Sequence, residues 1–330
     1  MRIICFHLNQ VGDLMFSLPA LKSMRDSCPD AHITSVVRPS LKELMEATGL
    51  VDSVLIRNVG LNLDRVRLIS TLSALKPEVA VVFSQSASSS SIAYLSGAPK
   101  RIGFEGTSLG FLLTSRVPFR HPPSTVNNLK LVEAIGAKIT CEEYSGLLKA
   151  TSAQMDRGNA ILQKYGVQPD EPVAALAPAT SSNRSVKEWT NEGFIAVGNY
   201  LAEQGFRPVM LGAADQSNDV KEYGRILDMR GQTTLGEVTG ILHRSRLLVA
   251  VDSGLLHLCA AIGTPVIGLY GSSNPAITGP QGESHIVLTS GADCSPCVKT
   301  SCSFGRKCML DITPSHVISA VDSILARGVR

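Results

Sequence analysis

Near the start of the chain, the segment Gln10-Val-Gly-Asp13 places a glycine and a carboxylate between an apolar run and a helix-like stretch. Gly12 permits a tight turn, and Asp13 falls in the first turn of the predicted helix. A carboxylate there is favoured by the positive end of the helix dipole, an effect of about 0.3–1 kcal/mol. It is equally suited to take a proton from a hydroxyl, as a general base does. The residues alone leave both interpretations open.

A second polar group, Asp252-Ser-Gly-Leu-Leu-His257, follows a strongly apolar run and leads into Gly263-Thr-Pro265. Asp252 ends a predicted buried strand, Ser253 occupies an N-cap position, and Gly254 leaves backbone N–H groups accessible. A helix N-terminus of this kind binds anions such as a pyrophosphate. A histidine at a helix start is often structural, but the anion site beside His257 favours a functional role.

The loop at residues 179–189 is rich in hydroxyls and contains two cations. Thr180, Ser181 and Lys187 would suit phosphate oxygens, with Lys187 acting as a point charge. A polar loop that ends in a helix cap would look similar, so this pattern is weak by itself.

Four cysteines lie close together in a polar segment: Cys294, Cys297, Cys302 and Cys308. A C-x₂-C pair with two further thiolates can close a tetrahedral metal shell, which predicts a structural zinc or iron site. The second pair is separated by five residues rather than two, so the match to a zinc ribbon is imperfect. A redox-sensitive thiol cluster and a metal-free structural loop remain alternatives. In each case the segment would fix the loop after Gly279-Pro280 rather than do chemistry.

Apolar runs and helical stretches alternate in the first half of the chain, which indicates βαβ units and a parallel sheet. The serine-rich stretch 84–91 is predicted to be a strand-to-helix loop at the carboxyl edge of that sheet, where ligands bind in such folds. The predicted strands are residues 3–6, 32–37, 53–56 and 79–83, and the predicted helices are 12–28, 41–47 and 61–75.

A second alternating series begins at residue 173, after a helical stretch at 154–165 and a linker-like stretch at 166–172. We therefore predict an α/β protein with two doubly wound, Rossmann-like domains at residues 1–165 and 173–330, facing each other across a cleft. The second domain includes the cysteine-rich segment 294–308 and a terminal helix. Its predicted strands are 173–177, 207–211, 247–251 and 266–270, and its predicted helices are 191–203, 217–227, 235–243, 255–262 and 315–326.

Length and composition indicate a two-domain enzyme. The chain has 330 residues, of which 44% are hydrophobic and 18% charged, so it can form substantial cores. A net charge of +3 is too mild for a dedicated nucleic-acid binder. The fingerprints of dinucleotide oxidoreductases, P-loop phosphotransferases, zincins and α/β-hydrolases are absent.

No secretory or membrane-spanning segment is expected. Polar residues such as His7 and Asp13 interrupt the first apolar run, and Asp252 and His257 interrupt the longest one. Eight cysteines without an export signal then suggest reduced thiols or metal ligands. The predicted location is the cytoplasm.

Basic residues are concentrated in the stretch 100–130, with five lysines and arginines against one acidic residue. A solvated surface and a binding surface for an anionic ligand are both compatible with this pattern. The five cations are Lys100, Arg101, Arg116, Arg120 and Lys130.

Several stretches resemble the ADP-heptose:lipopolysaccharide heptosyltransferases of glycosyltransferase family 9. They are MRIICFHLNQVGDLMFSLPALKSMR, YLSGAPKRIGF, VAVDSGLLHLCAAIGTPVIGLYGSSNP and ITGPQG, together with the spacing of Lys187 and Trp189. The resemblance extends over nearly the whole chain. It implies a GT-B fold, with an acceptor-binding first domain and a second domain that binds the nucleotide sugar.

The resemblance also implies roles for individual residues. Asp13 matches the catalytic base, while Thr180, Ser181 and Lys187 match the diphosphate-binding loop. A nucleotide-diphosphate motif is matched by Asp252, Ser253, Gly254, Leu255 and His257. Asp215 and Glu237 match positions where the family has acidic or nucleotide-contacting residues.

The implied activity is inverting transfer of heptose from ADP-heptose to the inner core of lipopolysaccharide. One base deprotonates the acceptor, and Lys187 with helix amides stabilises the leaving ADP, with no required cofactor. Lys100, Arg101, Arg116 and Arg120 would suit an anionic lipid A–Kdo acceptor, and the apolar piece 109–113 could touch the inner membrane surface peripherally. Alternatives are another sugar nucleotide, a non-lipopolysaccharide acceptor, or a catalytically silent nucleotide-binding protein.

Overall fold

The computed structural model describes residues 1–7, 10–58, 62–122, 124–180, 185–213 and 224–328. The chain divides into two compact units, Met1–Leu147 and Leu148–Arg330. Each unit contains a parallel β-sheet with helices connecting its strands.

The first unit contains a six-stranded parallel sheet. Its strands are β1 (Arg2–Phe6), β2 (His32–Val37), β3 (Ser53–Ile56), β4 (Val79–Val82), β5 (Lys100–Phe104) and β6 (Ser115–Val117). Its helices are α1 (Val11–Ser27), α2 (Lys42–Ala47), α3 (Asn62–Ala74), α4 (Ala87–Leu95) and α5 (Thr125–Ile135). The strand order β3-β2-β1-β4-β5-β6 is that of a doubly wound Rossmann-type sheet.

The second unit repeats this topology. Its strands are β7 (Val173–Ala177), β8 (Arg207–Met210), β9 (Leu227–Asp228), β10 (Leu248–Val251), β11 (Val266–Leu269) and β12 (Ile286–Leu288). Its helices are α6 (Ser152–Lys164), α7 (Asn191–Glu203), α8 (Leu235–Arg244), α9 (Gly254–Ile262), α10 (Pro275–Thr278), α11 (Lys307–Leu310) and α12 (Pro314–Ala326). The order β12-β11-β10-β7-β8-β9 again places the first strand of the unit at the centre, with strands added on both sides.

The domain boundary lies earlier than the predicted one after residue 165, because α6 packs in the second unit. Gly158 and Gly240 allow the backbones of α6 and α8 to approach closely. A Cβ on Gly240 would lie 2.1 Å from the carbonyl oxygen of Gln154, so a larger residue cannot fit without displacement. Sequence composition marks the linker at 166–172 but carries no sign of this helix pairing.

Two predicted elements differ from the structure. Helix α4 begins at Ala87, inside the serine-rich stretch that was predicted to be a loop. The predicted helix 217–227 lies largely outside the described residues, and its last residue belongs to β9. Among the described residues, none of the helices has the length and apolarity needed to cross a bilayer.

A buried histidine links three elements of the first unit. His7 Nδ1 and Nε2 lie 3.0 Å from the hydroxyls of Ser17 and Ser35, respectively. The Ser17 hydroxyl donates to the carbonyl of Leu14, so it accepts from Nδ1–H, and Nε2 accepts from Ser35. The ring also stacks on Phe83 with centroids 4.9 Å apart. Burial lowers the pKa of His7 to about 3, so the histidine is neutral at physiological pH.

This histidine predicts acid-dependent stability of the first unit. The unfolded chain binds a proton near pH 6.5, whereas folded His7 does not until about pH 3, so stability is lost as pH falls through this window. Between pH 7.5 and 5.5 the expected loss is about 1.4 kcal/mol. Urea unfolding followed by circular dichroism measures it, and Trp189 fluorescence identifies the transition of the second unit. The loss should be absent in His7→Gln; an equal loss in that variant would contradict the assignment.

Candidate active site

The central strands of the second unit create a natural ligand site. Strands β7 and β10 pair with each other, and successive strands then extend in opposite directions. Ligands in doubly wound sheets bind in the crevice at the carboxyl edge of such a switch point. The loop that carries Lys187 follows β7, and Asp252 directly follows β10, so both lie at this edge.

Lys187, Asp252 and His257 form one charged group there. The Lys187 Nζ is 2.5 Å from Asp252 Oδ2, and the His257 Nε2 is 3.5 Å from Asp252 Oδ1. All three side chains are largely buried, with 16%, 7% and 4% of their surfaces exposed, respectively. A buried cation held by a carboxylate is a suitable partner for a ligand phosphate.

Asp252 is charged at neutral pH despite its burial. Burial by itself would raise the pKa of this carboxyl, but the neighbouring His257 and the charge of Lys187 outweigh it and hold the pKa well below its usual range. The carboxylate therefore orients the side chains of Lys187 and His257 across the physiological pH range.

The N-terminus of α9 adds anion-binding donors. Ser253 is its N-cap residue but makes no side-chain cap bond. Its buried Oγ has no hydrogen-bond partner within the described parts of the chain. The first backbone N–H groups of α9, from Gly254 and Leu255, have no acceptor within the helix and are oriented for an anion. Hydroxyl, amides and Lys187 thus form a set suited to a diphosphate.

The other residues predicted for nucleotide binding have varied environments. Thr180 is buried and follows β7. Ser181 and Asp215 lie outside the described residues. Glu237 completes the capping box of α8, where its Oε2 accepts hydrogen bonds from the backbone N–H and hydroxyl of Thr234 at 2.6 and 2.7 Å. Helix capping therefore accounts for Glu237 without a ligand.

Asp13 lies at the carboxyl edge of the sheet in the first unit. It lies in the first turn of α1, after the central strand β1, and is partly exposed. Strands β1 and β4 form the switch point of this sheet, and the serine-rich N-terminus of α4 follows β4. Ligands in doubly wound sheets bind at this edge, and the role of Asp13 as the base stays a prediction.

Three arginines at the same edge were not singled out from the sequence. Arg38 and Arg57 directly follow β2 and β3, and Arg65 lies on α3. Burial, and then the charges of Arg65 and Arg38, lower the pKa of Arg57. Arg57 and Arg65 donate to the hydroxyls of Ser89 and Ser88 at 2.7 and 3.1 Å. The available signal was that Arg38 and Arg57 directly follow predicted strands.

The four predicted acceptor-binding cations have different environments. Lys100 and Arg101 begin β5, at the amino edge of the sheet, and donate to backbone carbonyls, including those of Ile135 and Leu112. Arg116 and Arg120 are exposed on and after β6. Lys100 and Arg101 make structural hydrogen bonds, and an acceptor-binding role for all four cations stays a prediction.

The predicted metal site is not supported. The described residues contain no group of three or more His, Cys, Asp or Glu side chains arranged to hold a metal ion. Burial raises the pKa of the Cys308 thiol, and the other three sulfurs of the segment raise it further. The four thiols are therefore neighbours. However, Cys308 packs into the apolar core, and the Cys302 sulfur accepts backbone hydrogen bonds from Phe304 and Arg306. Core packing accounts for the Cys308 sulfur, and loop hydrogen bonds account for the Cys302 sulfur.

Comparisons with known proteins identify the family of this chain. The family described as "Glycosyltransferase family 9 (heptosyltransferase)" matches residues 65–308. The chain is 22% identical to lipopolysaccharide heptosyltransferase 2 of Escherichia coli (strain K12), over 98% of this chain and 99% of that protein.

Solved structures show the same fold. A glycosyl transferase family 9 protein from Veillonella parvula has a TM-score of 0.84 at 21% identity, covering 99% of this chain and 97% of that one. The E. coli ADP-heptose LPS heptosyltransferase II has a TM-score of 0.81 at 19% identity, covering 99% of both chains. These likenesses confirm the predicted fold class, GT-B with two Rossmann-like domains. Because the family match covers more than half of the chain, the protein belongs to glycosyltransferase family 9, the heptosyltransferase family, and is a glycosyltransferase.

Proposed function

We propose that this enzyme transfers heptose from ADP-heptose to the inner core of lipopolysaccharide with inversion at the anomeric carbon. The second unit binds the donor, and the first unit binds the acceptor. The observation that carries the proposal is the diphosphate-binding set of Lys187, Asp252 and the α9 N-terminus at the switch point of the second sheet. The donor is the one in the name of the structurally similar E. coli heptosyltransferase II.

The donor site stabilises the leaving group. As the bond between the anomeric carbon and the phosphate oxygen breaks, its electron pair moves onto ADP. The Lys187 ammonium and the N–H groups of Gly254 and Leu255 stabilise this negative charge. Asp252 keeps Lys187 in place, so little reorganisation is needed during the reaction.

The acceptor side supplies the nucleophile. A hydroxyl oxygen of the acceptor attacks the anomeric carbon from the face opposite ADP, and its proton passes to the Asp13 carboxylate. A single displacement of this kind inverts the configuration and requires one base. The donor-site cation and amides meet the electrostatic need of the leaving group, so no cofactor enters the scheme.

A transfer assay tests this function. The protein is incubated with ADP-heptose and Kdo–lipid A, with or without a first heptose, and release of ADP and the configuration of the new linkage are measured. Turnover with an inverted linkage is expected. ADP binding without turnover on any acceptor would instead identify a silent nucleotide-binding protein, and turnover with another sugar nucleotide would redefine the donor.

The arginines at the carboxyl edge of the first sheet are proposed to bind the anionic groups of the acceptor. Arg38 and Arg57 follow the strands next to β1, which leads to Asp13. A phosphate or carboxylate bound beside Arg57 and Arg65, whose guanidiniums reach the neighbouring hydroxyls of Ser89 and Ser88, would accept charge-assisted hydrogen bonds from them. This surface replaces Lys100 and Arg101 as the principal acceptor site.

Loss of one of these arginines should weaken acceptor binding selectively. Arg57→Met is expected to raise the acceptor KM about tenfold at low salt, because charged hydrogen bonds are lost. The effect should decrease with added salt, while donor KM stays constant. Arg67→Met, on the exposed surface of α3, is the matched control. An unchanged acceptor KM would remove the cluster from acceptor binding.

We further propose peripheral contact with a membrane through an apolar surface of the first unit. Phe111, Tyr94 and Leu95 are 75%, 51% and 52% exposed on neighbouring elements, and Arg101 lies over the Tyr94 ring. Aromatic side chains beside cations suit the headgroup region of an anionic bilayer.

Removal of this apolar contact should reduce membrane binding without affecting the donor site. Phe111→Ser is expected to weaken the partitioning of the protein onto anionic phospholipid vesicles, measured by co-sedimentation, at least tenfold, because burial of a phenylalanine contributes about 1.5–3 kcal/mol. ADP affinity should remain unchanged. Equal sedimentation of wild type and Phe111→Ser would contradict the proposed surface.

A further inference from the structure

The cysteine-rich segment contacts the turn that carries Lys187. The guanidinium of Arg306 donates from Nη1 to the carbonyl oxygens of Ser185 and Glu188, at 3.1 and 3.2 Å. Ser185–Lys187 is a short 3₁₀ turn, closed by a hydrogen bond from the Glu188 N–H to the Ser185 carbonyl at 3.0 Å. Arg306 therefore links the two ends of the turn that carries Lys187.

The position of Lys187 depends on the position of this turn. Its Nζ reaches Asp252, which is fixed at the end of β10, whereas its backbone belongs to the turn. The turn is also anchored on its far side, where the Trp189 indole N–H donates to the carbonyl of Ile312 at 2.7 Å. A shift of about 1 Å in a group that stabilises charge can cost a large part of the rate.

The backbone around Arg306 is shaped to present its side chain. Arg306 has φ of 58°, in the left-handed region that non-glycine residues rarely occupy, and follows Gly305, which also has positive φ. The N–H groups of Phe304 and Arg306 both donate to the Cys302 sulfur, at 3.4 and 3.3 Å. Unusual backbone conformations that the surrounding structure maintains are often found at functional positions.

The rest of the segment is attached to the end of β11. The Ser295 hydroxyl donates to the Gly271 carbonyl at 2.6 Å, and the N–H groups of Cys297 and Val298 donate to the Ser272 carbonyl at 3.1 and 2.7 Å. Cys308 and Met309 then enter the core of the unit. The segment is a brace between β11 and the turn at 185–187.

We propose that Arg306 is a positioning residue that acts through Lys187 on the leaving diphosphate. The inference rests on the proposed function, because it takes Lys187 as the diphosphate ligand. It gives the cysteine-rich segment a role in donor binding that needs no metal: the cysteines shape the loop, and Arg306 transmits that shape to the site.

A double-mutant cycle on ADP affinity tests the proposal. By calorimetry, Arg306→Met is expected to weaken ADP binding about tenfold, comparable with loss of one well-made hydrogen bond to a charged group. In a Lys187→Met background the same change should weaken ADP binding less than twofold, because the residue it positions is gone. Lys307→Met, an exposed neighbour of equal charge, should change nothing. In transfer assays, Arg306→Met should lower kcat and leave acceptor KM constant.

The conservative variant and a ligand-free measurement distinguish positioning from general destabilisation. Arg306→Lys retains a donor and should recover part of the ADP affinity. Amide exchange at Glu188 should accelerate in Arg306→Met without ligand, while exchange in α12 stays slow. Equal tenfold losses in both backgrounds, or unaltered ADP affinity, would overturn the proposal. If the wild-type protein binds no ADP, the proposed function fails, and the Glu188 exchange rate still decides whether Arg306 holds the turn.

Discussion

Replacement of Asp13 by asparagine is expected to lower glycosyl transfer by about 100- to 10,000-fold, the range that general base catalysis contributes. Asparagine has nearly the same shape but cannot take the proton of the acceptor hydroxyl. The loss should appear in kcat, with ADP affinity within a few-fold of wild type, because proton transfer belongs to the transition state. Steady-state kinetics and calorimetry on the same preparation measure both quantities.

The alternative role of Asp13, stabilisation of α1 through the helix dipole, gives a different result. Asparagine would then cost about 0.3–1 kcal/mol of stability and leave turnover close to wild type. Asp30→Asn, at an exposed position beyond the C-terminus of the same helix, controls for loss of a surface charge. Wild-type turnover in Asp13→Asn would exclude Asp13 as the base.

Local sequence patterns were sufficient for most of the fold. The helix predicted at residues 12–28 is Val11–Ser27, and the buried strands before Asp13 and Asp252 lie where their apolar runs predicted them. Each of these elements is defined by its own residues: an apolar strand and a polar residue at the helix start. The Ser253 N-cap is confirmed for the same reason. The expected tight turn at Gly12 is wrong, because Gly12 lies inside α1.

Contacts between distant residues were beyond such patterns. Lys187 and Asp252 meet because β7 and β10 are neighbours, and their 65-residue separation contains no local signal of that pairing. The close approach at Gly158 and Gly240 packs α6 against α8 in the second unit, across the predicted boundary, and Cys308 packs into the apolar core of that unit. The hydrogen bond from Arg101 to the Leu112 carbonyl likewise has no local sequence signal. Each discrepancy arises from tertiary packing that overrides a correct local description.

The donor site predicts a second large effect, in Lys187→Met. ADP affinity should fall by about 1.5–3 kcal/mol, or roughly 10- to 150-fold, because a charge-assisted bond to phosphate is lost. Titration calorimetry measures this loss, and Lys307→Met serves as the control. The free energy of unfolding should fall as well, because the buried Asp252 carboxylate loses its cation. Removal of one partner of a buried pair costs about 3–5 kcal/mol.

A double variant separates the two consequences. In Lys187→Met/Asp252→Asn the buried charge is gone, so thermal stability should return toward wild type. ADP affinity should stay low, because the amide cannot replace the ammonium opposite the diphosphate. Recovery of ADP affinity together with stability would mean that Lys187 serves only to neutralise Asp252. In that case the α9 N-terminus, with its Ser253 hydroxyl and first backbone N–H groups, would have to bind the diphosphate without a cation from this turn.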